Sequence, residues 1–448
     1  MIEAERKARG PLPPGPKGRP ISGNFPEYSR DQLGFLTRCA RKYGDVVRLR
    51  FFNVGIVLLN HPDHIEQVLV GNNRNFIKDR AERSGLRFLG SGLLTSEGDF
   101  WRHQRRLAQP AFRRERINAY GETMVEDAGQ MLETWQDGEV RDVAGEMSRL
   151  TLGIVAKTLF GAISDYERET VGSALAVILD RFTGGVLFKV PERIPTPANL
   201  RFRRALWRLE GIIYGIIARR HRDGGNSGDL LSMLLSTRDE ETGEGMSDKQ
   251  LRDEVMTILL AGHETTALNL VWTFYLLAEH PQAEAALLSE LEEELGGRPP
   301  AVADVPRLRY AGAVVKESLR LYPPAWGFGR EALSACEIGG YRVPASTQLI
   351  VSQWVTHRDG RFFDRAEEFV PQRWLDGSTE KLPSYAYFPF GGGPRLCIGR
   401  SFATLEAILL LATISQRFRL RPAYGAVAPR PSLSLRPEGG MRVVLEKR

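Results

Sequence analysis

The 448 residues are enough to bury a large core, and 42% hydrophobic with 26% charged residues is an ordinary globular balance, which argues against a disordered or collagen-like chain. Cys39, Cys336 and Cys397 are too few and too scattered for a disulfide framework or a four-thiolate metal site, but a centre that needs one thiolate stays open. The net charge of +6 comes without the interleaved aromatics of a nucleic-acid-binding surface, so no nucleic-acid partner is expected.

The N-terminal stretch, residues 1–24, contains PLPPGPKGRP and predicts an irregular Pro/Gly-rich arm with neither a signal peptide nor an anchor. No apolar run reaches membrane-spanning length, so a cytoplasmic protein is expected, with room for a peripheral membrane contact. VVRLRFF (46–52) and GIVLLN (55–60) alternate as two strands, and a helix opens at Pro62-Asp63. From Asp99 to about Gly297 the pattern is nearly continuous helix with short breaks. SRLTLGIVAKTLFG (148–161) and WRLEGIIYGIIARR (207–220) both carry helical apolar spacing. The longest helix starts at Ser247, where S-D-K-Q is a capping box, and runs to His280 before Pro281; at ~1.5 Å per residue it spans roughly 50 Å. Beyond Pro323 short strands are expected, including STQLIVSQWV (346–355), followed by a Gly/Pro-rich loop and a last apolar helix over 398–418. Without a repeat or a linker, residues 1–448 are expected to form one mainly helical domain with small β-sheets (α+β) and no fused reductase.

FPFGGGPRLCIGR is the most informative stretch. Gly391, Gly392 and Gly393 permit a tight backbone turn that can lie against a planar group; Arg395 offers a guanidinium fork, and Cys397 follows two residues later, before a helix whose N-terminus favours a thiolate. A buried free cysteine beside a glycine-rich turn fits the same residues. A phosphate loop fits poorly, because neither of the phosphate-binding glycine patterns is present.

Elsewhere, Glu317 and Arg320 form E-x-x-R on one helix face, as surface ion pairs also do. Ala261-Gly262-His263-Glu264-Thr265-Thr266 lies in the middle of the longest helix, where a glycine and two threonines are locally unfavourable and suggest a functional break. Gly262 would admit something bulky against the backbone. Trp101 and Arg105 form W-x-x-x-R, and Arg102, Arg105, Arg106, Arg113, Arg114 and Arg116 make a basic cluster suited to an acidic partner or simply to solvent.

The loop from Phe390 to Gly399 resembles in full the signature F-x-x-G-x-R-x-C-x-G of the cytochrome P450 family, and the other motifs follow in that family's order over nearly the whole chain. The resemblance implies the cytochrome P450 fold, with the long helix over a haem b whose iron is held by Cys397. It also implies Phe390 beside the haem; Trp101, Arg105, Arg330 and Arg395 on its propionates; and Glu317, Arg320 and Arg373 as a structural ion-pair set. Thr265 would hydrogen-bond the dioxygen and Glu264 would relay protons, whereas His263 is left to packing.

The implied reaction is hydroxylation or epoxidation of a hydrophobic substrate. Electrons would come from NAD(P)H only indirectly, through a ferredoxin or flavodoxin and its reductase. Pocket walls are expected at Leu94, Ala261 and Trp326, and at Leu433 or Leu435. All are apolar, and a carotenoid, fatty acid or terpenoid suits them, with the protein acting as a monomer. The alternatives are a peroxygenase or isomerase of the same family, whose members typically lose the Glu264-Thr265 pair, and a non-catalytic haem-binding protein, which would need no proton relay.

Overall fold

The computed structural model describes residues 10–161, 164–181, 194–222, 228–239 and 243–448. In chain order its main helices are α1 (Gln32–Tyr43), α2 (Gly98–Ala108), α3 (Val143–Phe160), α4 (Asp165–Asp180), α5 (Pro197–Arg222), α6 (Asp248–Glu279), α7 (Arg309–Leu321) and α8 (Arg400–Arg417). The strands used below are β1 (Val46–Phe51), β2 (Val54–Leu59), β3 (Phe76–Lys78), β4 (Phe328–Ala332), β5 (Gln348–Val351), β6 (Pro429–Pro431) and β7 (Leu435–Pro437). The chain builds two compact units, each from two stretches: the chain up to Gly85 with Leu319–Cys397, and Leu86–Ser318 with Ile398–Arg448.

The first unit centres on a five-stranded sheet in the order β1-β2-β5-β4-β3. β2 and β5 run parallel, and the other pairs are antiparallel. Alternation sends Val46, Val57 and Leu59 into one apolar cluster, and Val47, Leu49, Ile56 and Leu58 into another with Phe35 and Leu36 of α1. Both faces of the sheet therefore carry apolar cover, which is why β2 has no charged residue, while β1 leaves Arg48 exposed and Arg50 half-buried. The N-terminal arm is tied down by backbone: Arg48 N–H donates to Pro14 O at 2.7 Å, and Arg342 N–H to Pro11 O at 2.9 Å. The expected strand over 346–355 stops at Val351. Ser352 then caps a helical turn over Gln353–Thr356, its hydroxyl accepting from Val355 N–H.

In the second unit α6 carries the core. Its start matches the capping-box expectation, with Ser247 and Gln250 exchanging side-chain and backbone hydrogen bonds. It ends at Glu279, and Pro281 opens the next helix, at a first-turn position that lacks no needed donor. α3 packs along α6, and α4 packs against α5. Leu209, Ile213 and Ile217 of α5 join Val155 and Leu159 of α3 and Val255 and Leu259 of α6 in one apolar cluster. The expectation of helix from Asp99 to Gly297 is interrupted by a strand at Val140–Asp142, which pairs with Arg442–Val444 near the C-terminus. Among the described residues, no helix is long and apolar enough to cross a membrane.

Candidate active site

Among the described residues, which include all three cysteines, Cys397 alone is exposed. Cys39 is buried in the core beneath β1, and burial pushes its thiol up to about 11; burial also raises the half-buried Cys336 thiol. The loop that presents Cys397 is shaped by its backbone. Cys397 N–H donates to Phe390 O at 3.0 Å, Leu396 N–H to Gly393 O at 3.1 Å, and Gly393 N–H to the Tyr385 hydroxyl at 3.0 Å. Two of the three glycines are required by the protein itself. A Cβ on Gly392 would meet the Tyr385 ring at 2.2 Å, and one on Gly393 (φ +61°) would lie 2.0 Å from Leu69 O. At Gly391 (φ +72°) nothing lies within 4 Å of the missing Cβ, so its left-handed backbone, rather than crowding, selects glycine there.

Arg320 is fully buried and donates to His357 O at 2.8 Å, to Glu368 O at 2.8 Å and to Ala366 O. Arg373 reaches the same segment, donating to Asp364 O at 2.8 Å. The His357 imidazole continues the chain of contacts, because its Nε2 accepts from Phe388 N–H at 3.0 Å, two residues before Phe390. Burial and the Arg320 and Arg358 charges hold His357 down at about 3, so the ring is neutral and Nε2 keeps its lone pair. Sequence reasoning singled out Arg320 and Arg373 but not His357. Glu317, one turn before Arg320 on α7, is also fully buried.

Arg330 of β4 stands opposite Lys78 of β3 in the sheet register. Like charges directly across a strand pair repel. The charges of Arg330 and Arg395 both bear on the buried Lys78, with Glu82 accepting from its ammonium at 3.1 Å. These cations, with the carboxylates of Glu82 and Asp79 beside them, suit an anionic group such as a carboxylate-bearing cofactor. Lys78 gives no signal in the sequence beyond being a lysine in a strand.

In α6 every residue from Leu251 to Leu277 is buried except Ile258, Ala261, Gly262 and Thr265. Their spacing, i, i+3, i+4, i+7, makes them one stripe, an accessible window in an otherwise enclosed helix. The expected break is not there, since α6 runs unbroken. Thr265 instead turns its hydroxyl back to Ala261 O at 2.7 Å and Thr266 to Gly262 O at 3.2 Å, the i−4 bonding that threonine adopts inside helices. A Cβ on Gly262 would come within 3.3 Å of Val155, so what approaches that backbone is α3. Glu264 is buried and bound: Ser434 Oγ donates to it at 2.6 Å and Arg436 Nε at 2.7 Å. His263 is buried too, its Nδ1 3.0 Å from Leu259 O, which fits a packing role.

Leu94 and Leu433 are half-buried beside the apolar cluster of this unit. Leu435 differs from the expectation, being fully buried with its carbonyl accepting from Trp272 Nε1 at 2.9 Å, which makes it core and leaves Leu433 as the accessible member of the pair. Trp326 is half-buried against the α1 side of the sheet in the first unit. The loop before Leu94 is strapped to α6: Ser91 N–H donates to Asp253 at 2.8 Å and Leu93 N–H to Glu254 at 3.1 Å. Burial pushes Glu254 up to about 8.

On α2, Trp101 is buried, and Arg105 is half-buried with its Nε donating to Gln109 at 3.2 Å. The basic cluster divides. Arg102 pairs with Asp99, and Arg106 with buried Asp239 at 3.0 Å, whereas Arg113, Arg114 and Arg116 are exposed without an ion-pair partner among the described residues.

A model of the family Cytochrome P450 matches residues 13–442. Cyclooctatin synthase of Streptomyces melanosporofaciens is 40% identical, covering 99% of this chain and 97% of that protein. Pentalenene oxygenase of Streptomyces avermitilis is 35% identical over 90% of each. Among solved structures, retinoic acid bound cyanobacterial CYP120A1 aligns with a TM-score of 0.86 at 25% identity, covering 98% of this chain and 100% of that one.

Proposed function

The chain belongs to the cytochrome P450 family, and from that premise we propose that Cys397 is the thiolate ligand of its haem iron and that the substrate is a terpenoid. The protein is a haem-thiolate monooxygenase, an oxidoreductase that carries haem b on a cysteine and draws electrons from redox partners. Haem supplies the activation of dioxygen, from which one atom enters the substrate and the other leaves as water.

The observation that carries the assignment is exposure. Cys397 stands accessible at the end of a loop held rigid from both sides, while the other two thiols are raised by burial and less able to ionise. Phe390 shapes that loop through its carbonyl. Arg330, Arg395 and Lys78 are cations for the propionates; Trp101 and Arg105 are assigned to haem binding by the family resemblance alone. Glu317, Arg320 and Arg373 are structural, with Arg320 acting through His357. The residues 1–448 are read as one catalytic domain, since neither unit comes from a single stretch of chain.

Thr265 holds its proton on Ala261 O, and a change of χ1 turns the hydroxyl outward to the accessible stripe. Glu264, fixed by Arg436 and Ser434, is the carboxylate through which protons reach that hydroxyl. The peroxygenase reading has no support of this kind, because the acid–alcohol pair is present and engaged.

Ala261, Ile258, Leu94 and Leu433 are apolar and accessible or partly so, which suits a hydrocarbon skeleton. Among the carotenoid, fatty-acid and terpenoid classes, the last is favoured by the relatives named cyclooctatin synthase, cyclooctat-9-en-7-ol 5-monooxygenase and pentalenene oxygenase. Arg113, Arg114 and Arg116 offer an acidic ferredoxin or flavodoxin an unneutralised cationic edge, so reduction is expected to slow as salt rises.

The test is the optical spectrum of the reduced, carbon-monoxide-bound protein beside Cys397→His. A thiolate-type band in the parent and an imidazole-type band in the variant are expected; an imidazole-type band in both overturns the ligand assignment. Spectral titration with terpenoid, fatty-acid and carotenoid panels tests the substrate class. Tighter binding of fatty acids or carotenoids would reject it.

A further inference from the structure

The outward face of α5 is as apolar as it is basic. Phe202, Ala205, Leu209, Ile213, Ile216 and Ile217 are buried on its inner side. On the opposite side Leu200, Trp207 and Tyr214 are 49%, 74% and 41% exposed. Residues seven apart share a helix face, so these three form one stripe, along which Gly211 and Ala218 add no polar group. A helix with one buried face ordinarily turns polar residues to water; this one turns a tryptophan, a leucine and a tyrosine.

The charges sort around that stripe. α5 holds seven arginines against one carboxylate, Glu210, an excess of six that equals the formal +6 of the entire chain. At the C-terminal end the charges are engaged: Arg219 with Glu167, Arg220 with Asp229, and His221 with Asp248. Glu210 is taken by Arg252 of α6. Arg201, Arg203, Arg204 and Arg208 are exposed and have no ion-pair partner among the described residues. By helical geometry Arg203 flanks the apolar stripe on one edge, with Arg204 and Arg208 on the other. Long guanidinium side chains in those positions can reach past an apolar strip to anionic headgroups while Trp and Tyr settle at the boundary.

We propose that the outer face of α5, centred on Trp207, is a docking surface for an anionic lipid bilayer, on which the enzyme sits peripherally. An acidic protein or a nucleic acid would account for the arginines but not for an apolar stripe running the length of the helix between them. A bilayer accounts for both. The inference is independent of the haem assignment and uses none of its residues.

The experiment is cosedimentation of the haem-loaded protein with phosphatidylcholine vesicles prepared with and without phosphatidylglycerol. Binding to the anionic vesicles, weakened by salt, is expected. Arg203→Glu/Arg204→Glu/Arg208→Glu should lower it roughly a hundredfold, at about fivefold or more per charge. Trp207→Ser should lower it about tenfold. Both variants change exposed side chains, and circular dichroism and the carbon-monoxide spectrum should match the parent. Absence of binding to either vesicle overturns the proposal. So does anionic-vesicle binding that Trp207→Ser leaves unchanged, which would mark a purely electrostatic face for an acidic macromolecule.

Discussion

Glycine serves different ends in the cysteine loop and in the middle of α6. At Gly393 a side chain would collide with Leu69 O, and the backbone is left-handed; the loop is specified by what the main chain must do. At Gly262 the backbone is ordinary helix, and the missing side chain admits Val155 of a packed neighbour. The cysteine loop is thus a turn held by carbonyls, a phenol and a neutral imidazole, whereas the α6 window is a regular helix whose special residue, Glu264, is held by charge. A rigid loop places one atom. A paired carboxylate in a helix is fixed by the partners that grip it.

The contrast breaks most visibly at Arg320. Arg320→Leu strands up to three buried carbonyl acceptors at about 1–3 kcal/mol each, so the cysteine loop's support is expected to fail, read as a collapsed urea midpoint and loss of haem uptake. Next, Arg436→Gln leaves Glu264 buried without its cation, a loss of about 3 kcal/mol in urea unfolding. In the same assay Thr265→Ala should move stability by less than about 1 kcal/mol, while the fraction of reductant recovered as product falls sharply.

The two regions also respond to pH with opposite sign. Between its ordinary 6.5 and about 3, His357 stays neutral in the folded protein while the unfolded chain takes up a proton, so stability falls as pH drops through that window. His357→Gln, which keeps an acceptor for Phe388 N–H without titrating, should flatten the acid limb. An effect of similar size and opposite sign is expected at Glu254. Its carboxyl stays protonated in the folded protein up to about 8 but ionises near 4.5 when unfolded, so stability falls as pH rises between those values. Glu254→Gln should remove that slope, measured as urea midpoints from pH 5 to 8.

What could be read from the chain was local. α6 announces itself by a capping box and sustained apolar spacing, and the cysteine loop by ten residues in fixed order, because in both the determinants lie within a few turns of one another. His357 meets Phe388 across 31 residues, and Arg436 meets Glu264 across 172; no periodicity links such partners. Lys78 became legible only when strand register set it opposite Arg330. The expected break in α6 failed for a related reason. Composition reveals that Gly and Thr disfavour a helix, but not that packing against α3 and hydroxyl bonds to the preceding turn keep it intact.

The β6–β7 hairpin interleaves two jobs in consecutive residues: Leu433 is partly accessible, Ser434 grips the α6 acid, Leu435 is core and Arg436 grips the acid again. Grafting this hairpin from a relative to alter selectivity would therefore also transplant the acid's partners. A library that varies position 433 while preserving 434 and 436 would keep the two traits separable.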